Sequence, residues 1–221
     1  MDVHVLAQAI LYFCISVTGF IVSIPVGVNR WNFRGRCILY ADVKWKDNYH
    51  SQMYSSHSVN CNFPIYYSVF GMIFYGFGLG IFYAIATFKS MRTPEIGYQM
   101  WVMPYILLNG VHAFVTLIVS CILSVGFLQF CNRLKEKDWV KSCGQFANDE
   151  WSNPSTGEKF NAGPYTTLLA VAQIASWSCL LLFLAQMGLS ILRFVRNRRQ
   201  RSESTDVGTD RSKIAETEST A

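Results

Sequence analysis

Cysteine is the residue type in this 221-residue chain best suited to covalent chemistry, and the seven cysteines fall into two groups. Cys14, Cys121 and Cys179 lie inside long uncharged apolar stretches, where cysteine serves as a small buried hydrophobe. Cys37, Cys61, Cys131 and Cys143 lie in two polar segments, a pair in each. Even, paired cysteines of this kind suit disulfides formed in an oxidising compartment. No Cys-X-X-Cys occurs, so scaffold bonds are expected in place of a redox couple. Four cysteines allow three connectivities. Geometry favours Cys37–Cys61 with Cys131–Cys143: Cys61 and Cys131 adjoin apolar stretches, so each bridge would clamp its own segment to the end of a span.

The second candidate is a polar stripe in an otherwise apolar stretch. His112, Thr116, Ser120 and Ser124 recur every four residues, with Asn109 beside them, and at that spacing they share one helix face. Gln173 in the last apolar stretch is placed to meet them. An ionisable group inside a membrane is a functional candidate by default, but such groups act with partners, and no Asp, Glu, Lys or Arg lies in any of the apolar stretches. His112 is therefore expected to be a neutral imidazole bonded to a neighbouring helix. His50 and His57 lack metal-site spacing, and neither a carboxylate nor a cysteine pair frames them. No catalytic, cofactor-binding or metal-binding residue is predicted, and the chain reads as a non-enzyme. The net charge of +5 is not gathered into a basic stripe interleaved with aromatics, so no nucleic-acid partner is expected.

The elements that must position these groups are four apolar stretches, about 5–28, 64–88, 102–130 and 165–192, each free of charge and long enough to cross a bilayer. Trp31, Tyr66, Tyr67, Trp101 and Tyr165 lie near their ends, where interfacial aromatics belong. The fold class is an all-α membrane protein: a four-transmembrane-helix bundle with two disulfide-containing extracellular or lumenal loops and a disordered cytoplasmic tail. Residues 1–201 form the membrane domain and 202–221 the tail. The first stretch has no basic n-region and is long for a signal peptide, so it is kept as a span. The short turn between the second and third spans should make them antiparallel neighbours.

Basic residues divide almost evenly between the two sides. The dense run Arg193, Arg196, Arg198, Arg199, Arg201 and the paired loop cysteines place both termini in the cytoplasm. Gly19, Ser23 and Gly27 in the first span, and Gly76 with Gly80 in the second, are small residues at helix-packing spacing. The tail has almost no large apolar residue and cannot repay the entropy of ordering. Ser202 and Ser204 follow the arginines closely and are candidate phosphosites that would weaken attraction to anionic lipid. The second loop, with its mixed charges and turn residues, reads as a solvated face.

The segments Asn32-Phe-Arg-Gly-Arg-Cys-Ile-Leu-Tyr40, Ser124-Val-Gly-Phe127 to Cys131, Ser142-Cys143 and Ala175-Ser-Trp177 resemble the transmembrane protein 179 family, with features of both its 179 and 179B branches. The likeness runs along nearly all of the four-span core. It implies a four-span membrane protein with no established activity and carries over no catalytic residues. The chain lacks the Gly-Leu-Trp of claudins and the Cys-Cys-Gly of tetraspanins. The expected function is that of a structural or accessory protein, with the lipid bilayer and other membrane proteins as partners and homo-oligomerisation open to it. The alternative is an oligomeric channel or transporter lined by the span-three stripe. Plasma membrane and endomembranes are not distinguished.

Overall fold

The computed structural model describes residues 3–47, 50–92, 103–136, 140–147, 150–152, 157 and 159–218. Four helices have the length and composition to span a membrane: Val3–Asn32, Val59–Met91, Met103–Leu134 and Tyr165–Arg199. The first is α1 (Val3–Asn32). The second is built from α2 (Val59–Tyr67), a π-helical segment (Ser68–Phe74) and α3 (Tyr75–Arg92). The third is α4 (Met103–Leu134). The fourth is the membrane-spanning part of α5 (Tyr165–Glu218). Helical backbone thus continues into the polar tail, but residues 202–221 have no apolar stripe with which to hold a helix against the bundle.

Large apolar side chains turn outward along every span, among them Phe20 and Ile24 on α1, Phe77 on α3, Phe114 on α4 and Leu181 on α5. The buried faces carry many polar side chains among the apolar ones, with Gln8, Asn109, Thr116, Ser120 and Gln186 all inside. A helix needs no apolar inner face in lipid, because the tails outside are as apolar as Leu. The main packing runs α4 on α5, α5 on α1, and α1 on α3. Spans two and three, expected to be close neighbours, meet mainly through side chains reaching from α2 and α3 to α4. The first and fourth spans form the central pair instead.

Beyond the spans, on the cysteine side, lies a sheet that the all-α reading largely missed. Strands β1 (Cys37–Asp47), β2 (His50–Ser56), β3 (Glu150–Ser152) and β4 (Lys159–Asn161) form it in the order β1-β2-β3-β4. β1 with β2 and β3 with β4 are antiparallel pairs, each within one loop. β2 and β3 run parallel, with Gln52 opposite Ser152, and join the two loops into one sheet. The sequence suggests only a weak strand at Ile38–Val43. An irregularity between Cys37 and Asp42 breaks the register there, and Tyr40 takes φ 63°. Ile38, Leu39, Ala41 and Val43 are consequently all buried, which erases the alternation that marks a half-buried strand.

Candidate functional site

The two disulfides join Cys37 to Cys61 and Cys131 to Cys143, across separations of 24 and 12 residues. The first ties the start of β1 to α2, and the second ties the end of α4 to the loop before β3. Between them sits an aromatic cluster centred on Phe33, which is fully buried at the end of α1. Its ring meets Trp151 of β3 at 6.4 Å, Phe160 of β4 at 5.3 Å and Tyr165 of α5 at 6.1 Å between centroids. Phe130 of α4 packs on Trp151 and Tyr165. Edge-to-face and tilted pairs of this kind add ~0.5–1.5 kcal/mol each beyond burial.

Hydrogen bonds tie the same knot: Tyr165 Oη donates to the Cys143 carbonyl, and Asn29 Nδ2 donates to the Tyr165 carbonyl at 3.3 Å. The second loop is thus not simply a solvated face, because Trp151, Phe160, Val140 and Ala162 are buried within it. β1 is seated on α4 as well. A Cβ at Gly126 would lie 2.8 Å from the Tyr40 ring and 3.0 Å from Leu39 Cβ. Partial burial, together with the Cys121 thiol, raises the pKa of Tyr40 above the ordinary phenol value. Arg133 and Asp42 add an ion pair at 3.4 Å, both half-exposed and so worth at most ~1 kcal/mol.

In the bundle interior the span-three stripe is spent on neighbouring helices. Tyr12 Oη and Tyr75 Oη both donate to Asn109 Oδ1 at 3.1 Å, and Asn109 Nδ2 lies 2.8 Å from Tyr12 Oη. The Tyr67 hydroxyl donates to the His112 carbonyl at 2.8 Å and lies 3.2 Å from His112 Nδ1 and 3.0 Å from Thr116 Oγ1. The His112 imidazole stacks between Tyr75, with centroids 4.1 Å apart, and Phe183, 5.5 Å away. Ser120 is fully buried and its hydroxyl has no partner among the described residues. Ser124 Oγ accepts from Trp177 Nε1 at 3.0 Å. Gln173 is half-buried and its carbonyl accepts from Ser176. It does not join the stripe in any described hydrogen bond.

The partners are chiefly tyrosines of spans one and two. Tyr67 reaches α4 because its ring lies along its own helix over Gly71, where a Cβ would come within 2.6 Å of it. No group of three or more His, Cys, Asp or Glu able to hold a metal occurs among the described residues.

A second polar cluster, not anticipated from the sequence, lies at the opposite end. Arg193 reads as the first residue of the basic run, yet it is 3% exposed. Its guanidinium donates to Gln8 Oε1 at 2.6 Å and lies 5.8 Å from the centre of the Tyr83 ring. Gln8 Nε2 donates to Ser190 Oγ at 3.0 Å, and Gln186 Nε2 donates to the Gln8 carbonyl at 2.8 Å. The only sequence signal is the uncharged Gln8 and the spacing of Gln186, Ser190 and Arg193, four and then three residues, which puts them on one helix face. The side chains of Ser202 and Ser204 lie outside the described residues.

The small residues part company. Gly76 faces α1 backbone, where a Cβ would sit 2.8 Å from the Tyr12 carbonyl oxygen and 2.9 Å from Ser16 N. Gly80 faces the Phe13 ring at 3.1 Å, and Gly19 faces Met72 and Ile73 at 2.8 Å. Ser23 is buried and bonds the Phe20 carbonyl in its own helix at 3.5 Å. Gly27 has no neighbour within 4 Å of a Cβ, so it opens onto space and not onto a helix.

Four membrane-spanning helices capped by one small sheet, with a disulfide in each contributing loop, define a multi-pass membrane protein. The chain belongs to the family described as the transmembrane protein 179/179B claudin domain, whose model matches residues 4–220. Transmembrane protein 179B of Danio rerio is 25% identical over 173 residues, covering 78% of this chain and 75% of that relative. No solved structure matches. That family carries the claudin name although this chain has no Gly-Leu-Trp in its first loop.

Proposed function

We propose that this protein is a structural or accessory component of membranes, without catalytic activity, that packs against partner membrane proteins. The observation that carries this reading is the fate of the polar stripe. Asn109, His112, Thr116 and Ser124 are bonded to Tyr12, Tyr75, Tyr67 and Trp177 of the same chain. Polar groups consumed in this way hold helices together and leave little to line a conducting path. Two disulfide-pinned loops fused into one sheet give a rigid surface for recognition, while exposed Phe70, Phe74 and Phe77 with Gly78 offer a lateral face in the bilayer.

The proposed orientation puts the sheet on the extracellular or lumenal side and both termini in the cytoplasm. It is supported by the disulfides and by the basic residues beyond Arg193. The deciding experiment is proximity labelling from the second loop and from the tail in cells, which should enrich a reproducible set of integral membrane proteins. Reconstituted protein should carry no current. A pH-dependent current that disappears in His112→Ala would replace this reading with that of a channel.

A further inference from the structure

The sheet side of the molecule contains a cavity of ≈ 940 Å³ between the end of α1, the turn that follows it, α2 and β4. Arg30, Arg34 and Lys159 line it, and no acidic residue is among its described lining. Its position relative to the bilayer follows from its other walls. Gly27 and Ile65 belong to spans one and two, and Trp31 at the mouth is 84% exposed, as an interfacial anchor would be. Gly27 provides the opening, since nothing lies within 4 Å of where its Cβ would be. Below Trp31 the outward face of α1 continues through Val28, Ile24 and Phe20, all exposed apolar residues one helical turn apart.

The backbone at this site is unusual. α1 ends with Gly35 N bonding the Arg30 carbonyl at 2.8 Å and Arg34 N bonding the Trp31 carbonyl at 3.0 Å, the paired bonds of a Schellman cap. The left-handed position of such a cap is normally glycine, yet here Arg34 occupies it at φ 54°, and glycine comes one residue later. A residue with a Cβ held there stores strain, and stored strain concentrates at functional sites. Arg30 Nε donates to the Gly35 carbonyl at 3.1 Å, which fixes the guanidinium while its two terminal nitrogens have no described protein partner. A favourable interaction with the carbonyl end of α1 would account for a cation at Arg30. It would not require a strained Arg34.

We propose that this cavity seats the phosphate of a membrane glycerophospholipid, with Arg30 and Arg34 as the principal ligands and the acyl chains lying along Phe20, Ile24 and Val28. A phosphate satisfies two guanidinium groups better than a single carboxylate does. The apolar stripe leading into the mouth favours a tethered lipid over a free ion.

The test uses the full chain, purified in a non-ionic detergent, stripped of lipid and titrated by native mass spectrometry. Three probes are compared: a phosphatidylglycerol, a diacylglycerol with the same acyl chains, and inorganic phosphate. Phosphatidylglycerol should be retained while diacylglycerol is not, and inorganic phosphate should compete only at far higher concentration. Arg30→Gln combined with Arg34→Gly should weaken phosphatidylglycerol binding by at least about tenfold. Arg36→Gln, outside the cavity lining, should leave it unchanged.

Arg34→Gly alone gives a second readout. It relieves the strained cap, so it should raise thermal stability while weakening lipid binding. If Arg34 were merely structural, stability would fall. Equal retention of diacylglycerol, equal affinity for inorganic phosphate, or undiminished lipid binding by the double variant would each overturn the proposal.

Discussion

Gly76, Gly78 and Gly80 look alike in sequence, and the packing of α3 on α1 predicts three different responses to alanine. At Gly76 the added methyl would lie 2.8 Å from the Tyr12 carbonyl oxygen and 2.9 Å from Ser16 N. Both are backbone atoms of a helix and cannot turn aside. Ordinary contact lies near 3.5 Å or beyond, so α3 must retreat by roughly half an ångström, which forfeits about a quarter of the local dispersion energy. The surfaces drawn apart include the Tyr12–Tyr83 stack, with centroids 5.4 Å apart, and the buried Ile15 and Met72. Overpacking of this kind costs ~1–3 kcal/mol. At Gly80 the obstruction is the Phe13 ring at 3.1 Å, which can swing, so the cost should be below ~1 kcal/mol. At Gly78 nothing lies within 4 Å, and alanine should gain up to ~1 kcal/mol from helix propensity.

Subtracting the Gly78 result from the Gly76 result removes the propensity contribution and isolates the seam. The assay follows maleimide labelling of Cys179, which is fully buried, as detergent-solubilised protein is heated. Cys14→Ala and Cys121→Ala in the background remove the other free thiols. The expected order of stability is Gly78→Ala above parent, then Gly80→Ala, then Gly76→Ala. Equal loss at all three positions, or a greater loss at Gly78 than at Gly76, would refute the packing argument.

Three further outcomes are expected. Asn109→Leu strands the Tyr12 and Tyr75 hydroxyls and should cost ~1–3 kcal/mol in the same labelling assay, whereas His112→Ala should lower folded yield only modestly. Replacing Cys131 and Cys143 together by alanine should cost ~3 kcal/mol by the loop-entropy estimate, and non-reducing peptide mapping of the parent should recover only Cys37–Cys61 and Cys131–Cys143. A glycosylation sequon engineered at Ser155 should be modified in cells, while one placed in 202–220 should not; modification of the tail sequon alone would invert the orientation.

What could be read from the sequence follows from the range of the interaction involved. The spans are legible because a run without charge is a local property, and the within-loop disulfides are legible because Cys61 and Cys131 adjoin helix ends. The sheet is not. β3 and β4 have three residues each, too short to show a period, and their burial is set by Phe33, more than a hundred positions earlier. Arg193 is misread because a basic residue after an apolar run ordinarily faces water, and only its pairing with Gln8 shows otherwise. Gly27 shares the spacing of Gly19, but periodicity gives a face without saying what lies opposite. The stripe on α4 shows as a pattern, whereas its partners are tyrosines, which in these apolar stretches look like interfacial aromatics.

The bonds joining α1 to α5 have a consequence for how the chain is made. Gln8 meets Ser190 and Arg193 across separations of 182 and 185 residues, and Asn29 meets Tyr165 across 136. A ribosome delivering this chain releases the first helix into the bilayer long before its partner has been translated. Throughout that interval two amide side chains, at opposite ends of one segment, lack their mature hydrogen bonds. The nascent first helix therefore spends that interval without the partner it packs against in the finished fold. A chain truncated before Tyr165 would carry three helices and lack these partners of Gln8 and Asn29.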